Sequence, residues 1–148
     1  MLLGICTVWL AVACQQNTET PDGASGSLDF KIEQFLPDSN QMVVQFTLQN
    51  NSSTDWVGGQ WSLHWNQISG FIDSTSLPPG VRFEWVNGNS YFILHFDAAW
   101  TVKAGETRSF KAVQRGIMPR LALGPVGVFG VMREQTFPIH TTIHWREA

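Results

Sequence analysis

A chain of 148 residues, 43% hydrophobic and 14% charged, has the size and composition of one ordinary globular domain. Its formal net charge is -3, and its nine Lys and Arg residues are scattered singly. Phosphate binding needs basic residues gathered into a patch that releases counterions, so nucleic-acid binding is disfavoured.

The chain opens with an apolar run, Met1 to Ala13, that has no charged side chain and turns polar at Gln15. Such a run is too short for a helix crossing a hydrocarbon core of ~30 Å and reads as a signal peptide over residues 1–13. Ala11 and Ala13 ahead of Cys14 resemble a bacterial lipobox, in which the cysteine is acylated and becomes the first mature residue. Cys14 is therefore the expected lipid attachment. A plain secretory signal and a buried N-terminal strand are the alternatives. On the lipobox reading Cys6 is removed with the leader, and the mature chain keeps no disulfide pair. Residues 14–26 then make a lipidated cysteine and a flexible tether, because QQNTETPDGASG holds one apolar residue, Ala24, too little to offset its ordering entropy. The expected location is outside the cytoplasm, on the periplasmic or cell-surface side, with the membrane engaged through the lipid alone.

Beyond Leu28 no long stretch holds an apolar helical period, while alternation of period two recurs. LDFKIEQFL supplies the first expected strand. In QMVVQFTLQ, Met42, Val44, Phe46 and Leu48 share one face and Gln41, Gln45, Thr47 and Gln49 the other, the pattern of a half-buried strand. NNSSTDWVGG is a polar connection whose Trp56 is either a lid over the end of a sandwich or an exposed platform. QWSLHWN sets Trp61, Leu63 and Trp65 against Ser62, His64 and Asn66, which assigns both tryptophans to the core. VRFEWV sets Val81, Phe83 and Trp85 against Arg82 and Glu84, so Trp85 is expected in the core as well. Asn87-Gly88 is a two-residue hairpin signal, since both turn positions tolerate positive φ. SYFILHF returns antiparallel, apolar on both faces and therefore central. Trp100, between Ala98-Ala99 and Thr101, is as ambiguous as Trp56. TRSFKAVQ and VGVFGVM add strands. IHTTIHW is either a last strand or, within 133–148, the start of a next domain. Seven to nine short strands separated by Pro, Gly and Asn turns argue for an all-β fold, an antiparallel β-sandwich over residues 27–132.

Chemistry has few seats in this pattern. His140 and His144 would lie about 13 Å apart along a strand, too far to share one ion, and only a cross-strand partner such as His64 or His95 would complete a metal site; none is expected. GPVGVFG lacks the strand-then-helix context and the Lys-Ser or Lys-Thr pair of a phosphate loop, so it reads as a small-residue strand. There is no G-x-S-x-G elbow and no Cys with a matched His. Asp55, Asp73, Glu84 and Asp97 are present, but nothing pairs any two for acid and base work. Neither catalysis nor a cofactor is expected.

Four stretches carry a family resemblance: FTLQNNSS (46–53), GGQWSLHWN (58–66), FEWVNGNSYFIL (83–94) and KAGETRSF (103–110). Over about Leu28 to Met132 the chain resembles the N-terminal non-catalytic domain of bacterial chitobiases and β-N-acetylhexosaminidases. The family's run of Trp, small residue, Leu and two aromatics appears here as Trp61, Ser62, Leu63, His64 and Trp65, with His64 in place of an aromatic. The resemblance implies a β-sandwich similar to cellulose-binding modules and associated with carbohydrate. In family members an α/β domain and a catalytic barrel follow, and an adjacent Asp-Glu pair in the barrel does the acid chemistry. This chain has no adjacent Asp-Glu, so the activity does not carry over. It is expected to be an accessory module, or a truncated or split product, of a hexosaminidase acting on N-acetylglucosamine-containing glycans, with that amino sugar and a catalytic hexosaminidase domain as partners. Trp56 and then Trp100 are the expected sugar-binding rings. The alternative is a structural domain that docks on a catalytic partner and binds no sugar.

Overall fold

Period-two alternation becomes nine strands in the computed structural model, which describes residues 23–88, 90–116 and 124–145. The expected leader, with Cys6 and the expected attachment residue Cys14, lies outside the described residues. The strands are β1 (Gly26–Leu36), β2 (Gln41–Asn50), β3 (Trp61–Asn66), β4 (Phe71–Ile72), β5 (Val81–Trp85), β6 (Tyr91–Phe96), β7 (Thr107–Arg115), β8 (Val126–Met132) and β9 (Gln135–Trp145). They run in the order β4-β7-β2-β1-β9-β8-β3-β6-β5.

β9 turns this one sheet into a sandwich. Its first residues pair antiparallel with β8, ending at Pro138 opposite Phe129. From Ile139 onward it pairs with β1, in parallel, as far as Trp145 opposite Ile32. Pro138 has no N–H to give a ladder, and the strand changes partner there. One layer is therefore β4-β7-β2-β1-β9 and the other β9-β8-β3-β6-β5, closed along β9 and open between the edge strands β4 and β5. Of the two readings of 133–148, the pairing makes Gln135–Trp145 a strand of the sandwich. The sandwich is antiparallel apart from the β1/β9 pair.

The core lies between the layers. Phe30, Met42, Val44, Phe46 and Leu48 of one meet Leu63, Trp65, Phe92 and Leu94 of the other, all buried. Phe46 stacks on Phe110 at 5.0 Å and reaches across to Trp65 at 5.9 Å. A polar pair sits among them. Gln67 Nε2 donates to Gln114 Oε1 at 2.9 Å, Gln114 Nε2 donates back at 3.3 Å, and the Trp65 indole N–H donates to Gln67 Oε1 at 3.2 Å.

Two boundaries differ from the sequence reading. The described end of the expected tether is already folded: Ala24 is buried and Ser25 O accepts from Asn51 N at 3.0 Å. Asn87 and Gly88 do take positive φ, 50° and 65°. Yet the β5/β6 ladder ends with Trp85 opposite Phe92, so the connection is longer than a two-residue turn.

Candidate functional site

The tryptophans divide differently from what loop and strand assignments suggest. Trp56 forms an isolated bridge with Val102, N to O at 2.9 Å and back at 3.0 Å, and this strand-like contact turns its ring inward. The ring has no exposed surface and packs on Trp61 and Phe137, each at 5.1 Å between centroids. It fills the space that Gly26 leaves, since a Cβ there would collide with the indole. Trp100 is also buried; its N–H donates to Pro79 O at 2.9 Å, and the Arg108 guanidinium covers the ring at 3.9 Å. Both expected sugar platforms are therefore lids, and neither offers a face to a ligand. Trp61 and Trp65 are core as expected. Trp85 is not, being 45% exposed at the end of edge strand β5. Alternation gives the side of the sheet on which a residue lies, but not whether the opposite layer extends far enough to cover it.

The outer face of β8-β3-β6-β5 gathers the polar partners of that alternation. Register sets Arg82 beside His95 and His95 beside Ser62, while Glu84, Ile93, His64 and Phe129 form the next row and Tyr91 with Asn66 a third. With strands about 4.8 Å apart and rows about 6.7 Å apart, the cluster from Arg82 to Tyr91 covers roughly 10 by 13 Å. His95 Nε2 donates to Glu84 Oε2 at 2.6 Å. The His64 ring lies between two hydroxyls, Ser62 Oγ 2.7 Å from Nε2 and Tyr91 Oη 2.5 Å from Nδ1, and stacks on Phe129 at 5.0 Å. In either neutral tautomer one hydroxyl donates to the ring and the other accepts from it. Arg82 is exposed, and its side chain makes no hydrogen bond or ion pair among the described residues.

At the end of this face the starts of β3 and β5 and the ends of β6 and β8 surround a cavity of about 720 Å³. Gln60, Arg82, His95, Asp97, Arg133 and Glu134 are among its polar walls. Arg133 Nε donates to Gln60 Oε1 at 2.9 Å, which ties the β8/β9 turn to the loop before β3. Trp61, stacked on Phe96 at 3.9 Å, contributes apolar lining. The volume lies within the ordinary range for small-ligand sites. Planar amide, guanidinium, imidazole and carboxylate groups can each meet two neighbouring hydroxyls of a ligand. Among the described residues no three potential metal ligands cluster. Sequence alternation had already put Ser62, His64, Arg82 and Glu84 on outward faces. What it lacked was the strand order that makes β3, β6 and β5 neighbours.

The electrostatics of this face are readable in His64. Burial, and then the nearby His95, push its pKa below histidine's usual 6.5, with Glu84 opposing them. Tyr91 moves up, by burial and then Glu84, so its hydroxyl keeps its proton. A histidine lowered on folding binds fewer protons in the native state, so its contribution to stability is present above 6.5 and is lost as the pH falls through the lowered value. An NMR titration should place the His64 midpoint below 6.5, His95→Ala should raise it, and Glu84→Gln should lower it further. A midpoint at or above the usual value would contradict this account of the ring's surroundings.

No protein-family model matches the chain, and no curated protein sequence matches it. Solved structures do. A GH20 exo-β-N-acetylglucosaminidase from Vibrio harveyi, in complex with N-acetylglucosamine, aligns with a TM-score of 0.62 at 16% identity over 82% of this chain and 19% of its own. A family GH18 chitinase from Chromobacterium violaceum aligns at 0.57 and 12% identity, over 80% of this chain and 20% of its own. The CBM3b module of the scaffoldin subunit ScaA from Acetivibrio cellulolyticus aligns at 0.50 and 16%, over 75% of this chain and 93% of that one. The chain thus spans about a fifth of each enzyme and matches nearly the whole of the module. At these identities the likeness is one of fold: an all-β sandwich shared with carbohydrate-binding modules and with part of these glycoside hydrolases.

Proposed function

We propose that the chain is a non-catalytic carbohydrate-binding module, associated with a β-N-acetylhexosaminidase, that holds N-acetylglucosamine-containing glycans on the outer face of β8-β3-β6-β5. The observation that carries this reading is Arg82, exposed and unengaged beside the His95–Glu84 pair at the rim of the 720 Å³ cavity. A guanidinium next to an imidazole–carboxylate pair presents both donors and acceptors to neighbouring sugar hydroxyls, and the mixed signs favour a neutral ligand over an ionic one. The fold shared with carbohydrate-binding modules supports the same class of ligand. Glu84 is held by His95, and Asp97 accepts from Ala99 N at 2.9 Å.

An open surface of this kind should bind weakly, with Kd on the order of 0.1 to 1 mM, about -4 to -5.5 kcal/mol. Titrating chitotriose into isotope-labelled protein should shift the backbone amides of Ser62, His95 and Arg82. Arg82→Ala should weaken that response about tenfold, with a stability change within about 0.5 kcal/mol because the side chain is exposed. If no amide of this face moves at millimolar oligosaccharide, the module reading fails and docking against a catalytic partner becomes the better account.

A further inference from the structure

One register row crosses the whole outer face. Glu84 of β5 lies beside Ile93 of β6, Ile93 beside His64 of β3, His64 beside Phe129 of β8, and Phe129 beside Pro138 of β9. At about 4.8 Å per strand the row measures roughly 19 Å end to end. Its two ends differ in chemistry. Glu84 at the β5 end belongs to the polar group with His95 and Arg82, whereas Phe129 and Pro138 make the β8/β9 end apolar. Phe129 gives one ring face to His64, centroids 5.0 Å apart and planes 18° apart. On its other side, toward β9, it lines a cavity of about 480 Å³ with Thr136, Phe137 and Pro138. Phe129 is half-buried, while Thr136 and Pro138 are exposed. The Ser62 and Tyr91 hydroxyls pin the His64 ring, which fixes the surface against which Phe129 stacks.

We propose that this aromatic end is an apolar subsite, where the C–H face of one pyranose ring lies on Phe129 while the same neutral glycan reaches across the strands to His95 and Arg82. The proposal rests on the glycan-binding reading above and adds to it a second anchor, a direction and a minimum length. A pyranose pairs an apolar C–H face with a fringe of hydroxyls. The row offers both chemistries on one continuous surface, so a single occupant meets the ring at one end and the polar group at the other. Phe129 is held by its stack on His64 and has little rotamer freedom left to lose on binding. The cavity volume lies within the ordinary range for small-ligand sites. From His95 on β6 to Phe129 on β8 is two strands and one row, roughly 12 Å. That is further than one sugar ring extends, so only an oligosaccharide engages both ends.

The test is chitotriose and, separately, N-acetylglucosamine titrated into the isotope-labelled full chain. The Phe129 ring and the Thr136 methyl report the aromatic end, and the Ser62 and His95 amides the polar end. With chitotriose both sets should shift with one shared midpoint, at least about tenfold tighter than with the single sugar, because the second contact is then intramolecular. Arg82→Ala should weaken the Phe129 response by the same factor as the Ser62 response. Phe129→Leu keeps the apolar bulk and removes the flat face, and should weaken the shared midpoint about three- to tenfold, while Phe129→Tyr should restore it. Shifts confined to the polar end would overturn the subsite and leave the module reading standing; silence at both ends would overturn both. Separate midpoints for the two ends, a Phe129→Leu variant that binds as tightly as the parent, or a single sugar that binds as tightly as chitotriose would also overturn the subsite. So would Phe129 signals that move with protein concentration in the absence of sugar, which would mark a contact between copies of the chain.

Discussion

Trp56→Ala should lower stability by about 3–5 kcal/mol and Tm by roughly 10–20 °C, the cost of emptying a fully enclosed aromatic site. The indole sits between Trp61 and Phe137 against the backbone of Gly26, so its loss opens a cavity where β1, β3 and β9 converge. An exposed platform in the same loop would leave Tm unmoved. Trp56→Phe should be much milder, because the Trp56 indole N–H has no partner among the described residues and the substitution removes that donor while keeping most of the ring. Thermal unfolding of the two variants decides the matter. If Trp56→Ala melts within about 1 °C of the parent, the ring is not the keystone that its burial implies.

The second large effect belongs to the buried amide pair. Gln67→Leu alone strands the Gln114 amide and the Trp65 indole N–H inside the core, and Gln114→Leu alone strands Gln67. Each should cost about 2–4 kcal/mol, since a buried polar group that loses its partner forfeits its hydration without recompense. The double variant should cost less than the sum by about 1–3 kcal/mol, because each leucine then meets an apolar neighbour. Strict additivity in a double-mutant cycle would show that the two side chains do not act as a unit.

These two residue sets also mark what was legible beforehand. Alternation in QMVVQFTLQ and QWSLHWN named the inward face of β2 and β3, and Met42, Val44, Phe46, Leu48, Trp61, Leu63 and Trp65 are all buried. Period two is a property of the strand itself, so it needs no knowledge of neighbours. Trp56 and Trp100 were unreadable because their burial depends on non-local partners: Val102 and Gly26 for the first, Pro79 and Arg108 for the second. Trp85 failed for the converse reason, having inward parity but only partial cover, from Phe71 and Phe92, at the edge of the sheet. Gln67 and Gln114 stand more than forty positions apart, and nothing in either local pattern announces the other. The outer-face cluster was half visible. Arg82, Glu84, Ser62 and His64 were assigned outward, but their meeting depends on β6, which lies between β3 and β5 and brings His95 and Tyr91 with it.

The parallel seam between β1 and β9 has a mechanical meaning. Gly26 lies beside Ile139 and Ile32 beside Trp145, so a pull applied between the N-terminal end of β1 and the C-terminal end of β9 drags the two strands along one another. The seven register pairs of that seam then share the load at once, whereas a hairpin pulled at its open end parts one pair at a time. Forced unfolding is governed by the unfolding barrier rather than by equilibrium stability, and a seam loaded in shear raises that barrier along the pulling direction. Tension carried along the chain thus loads the sandwich in shear, where the strand that closes the two layers acts as their clamp.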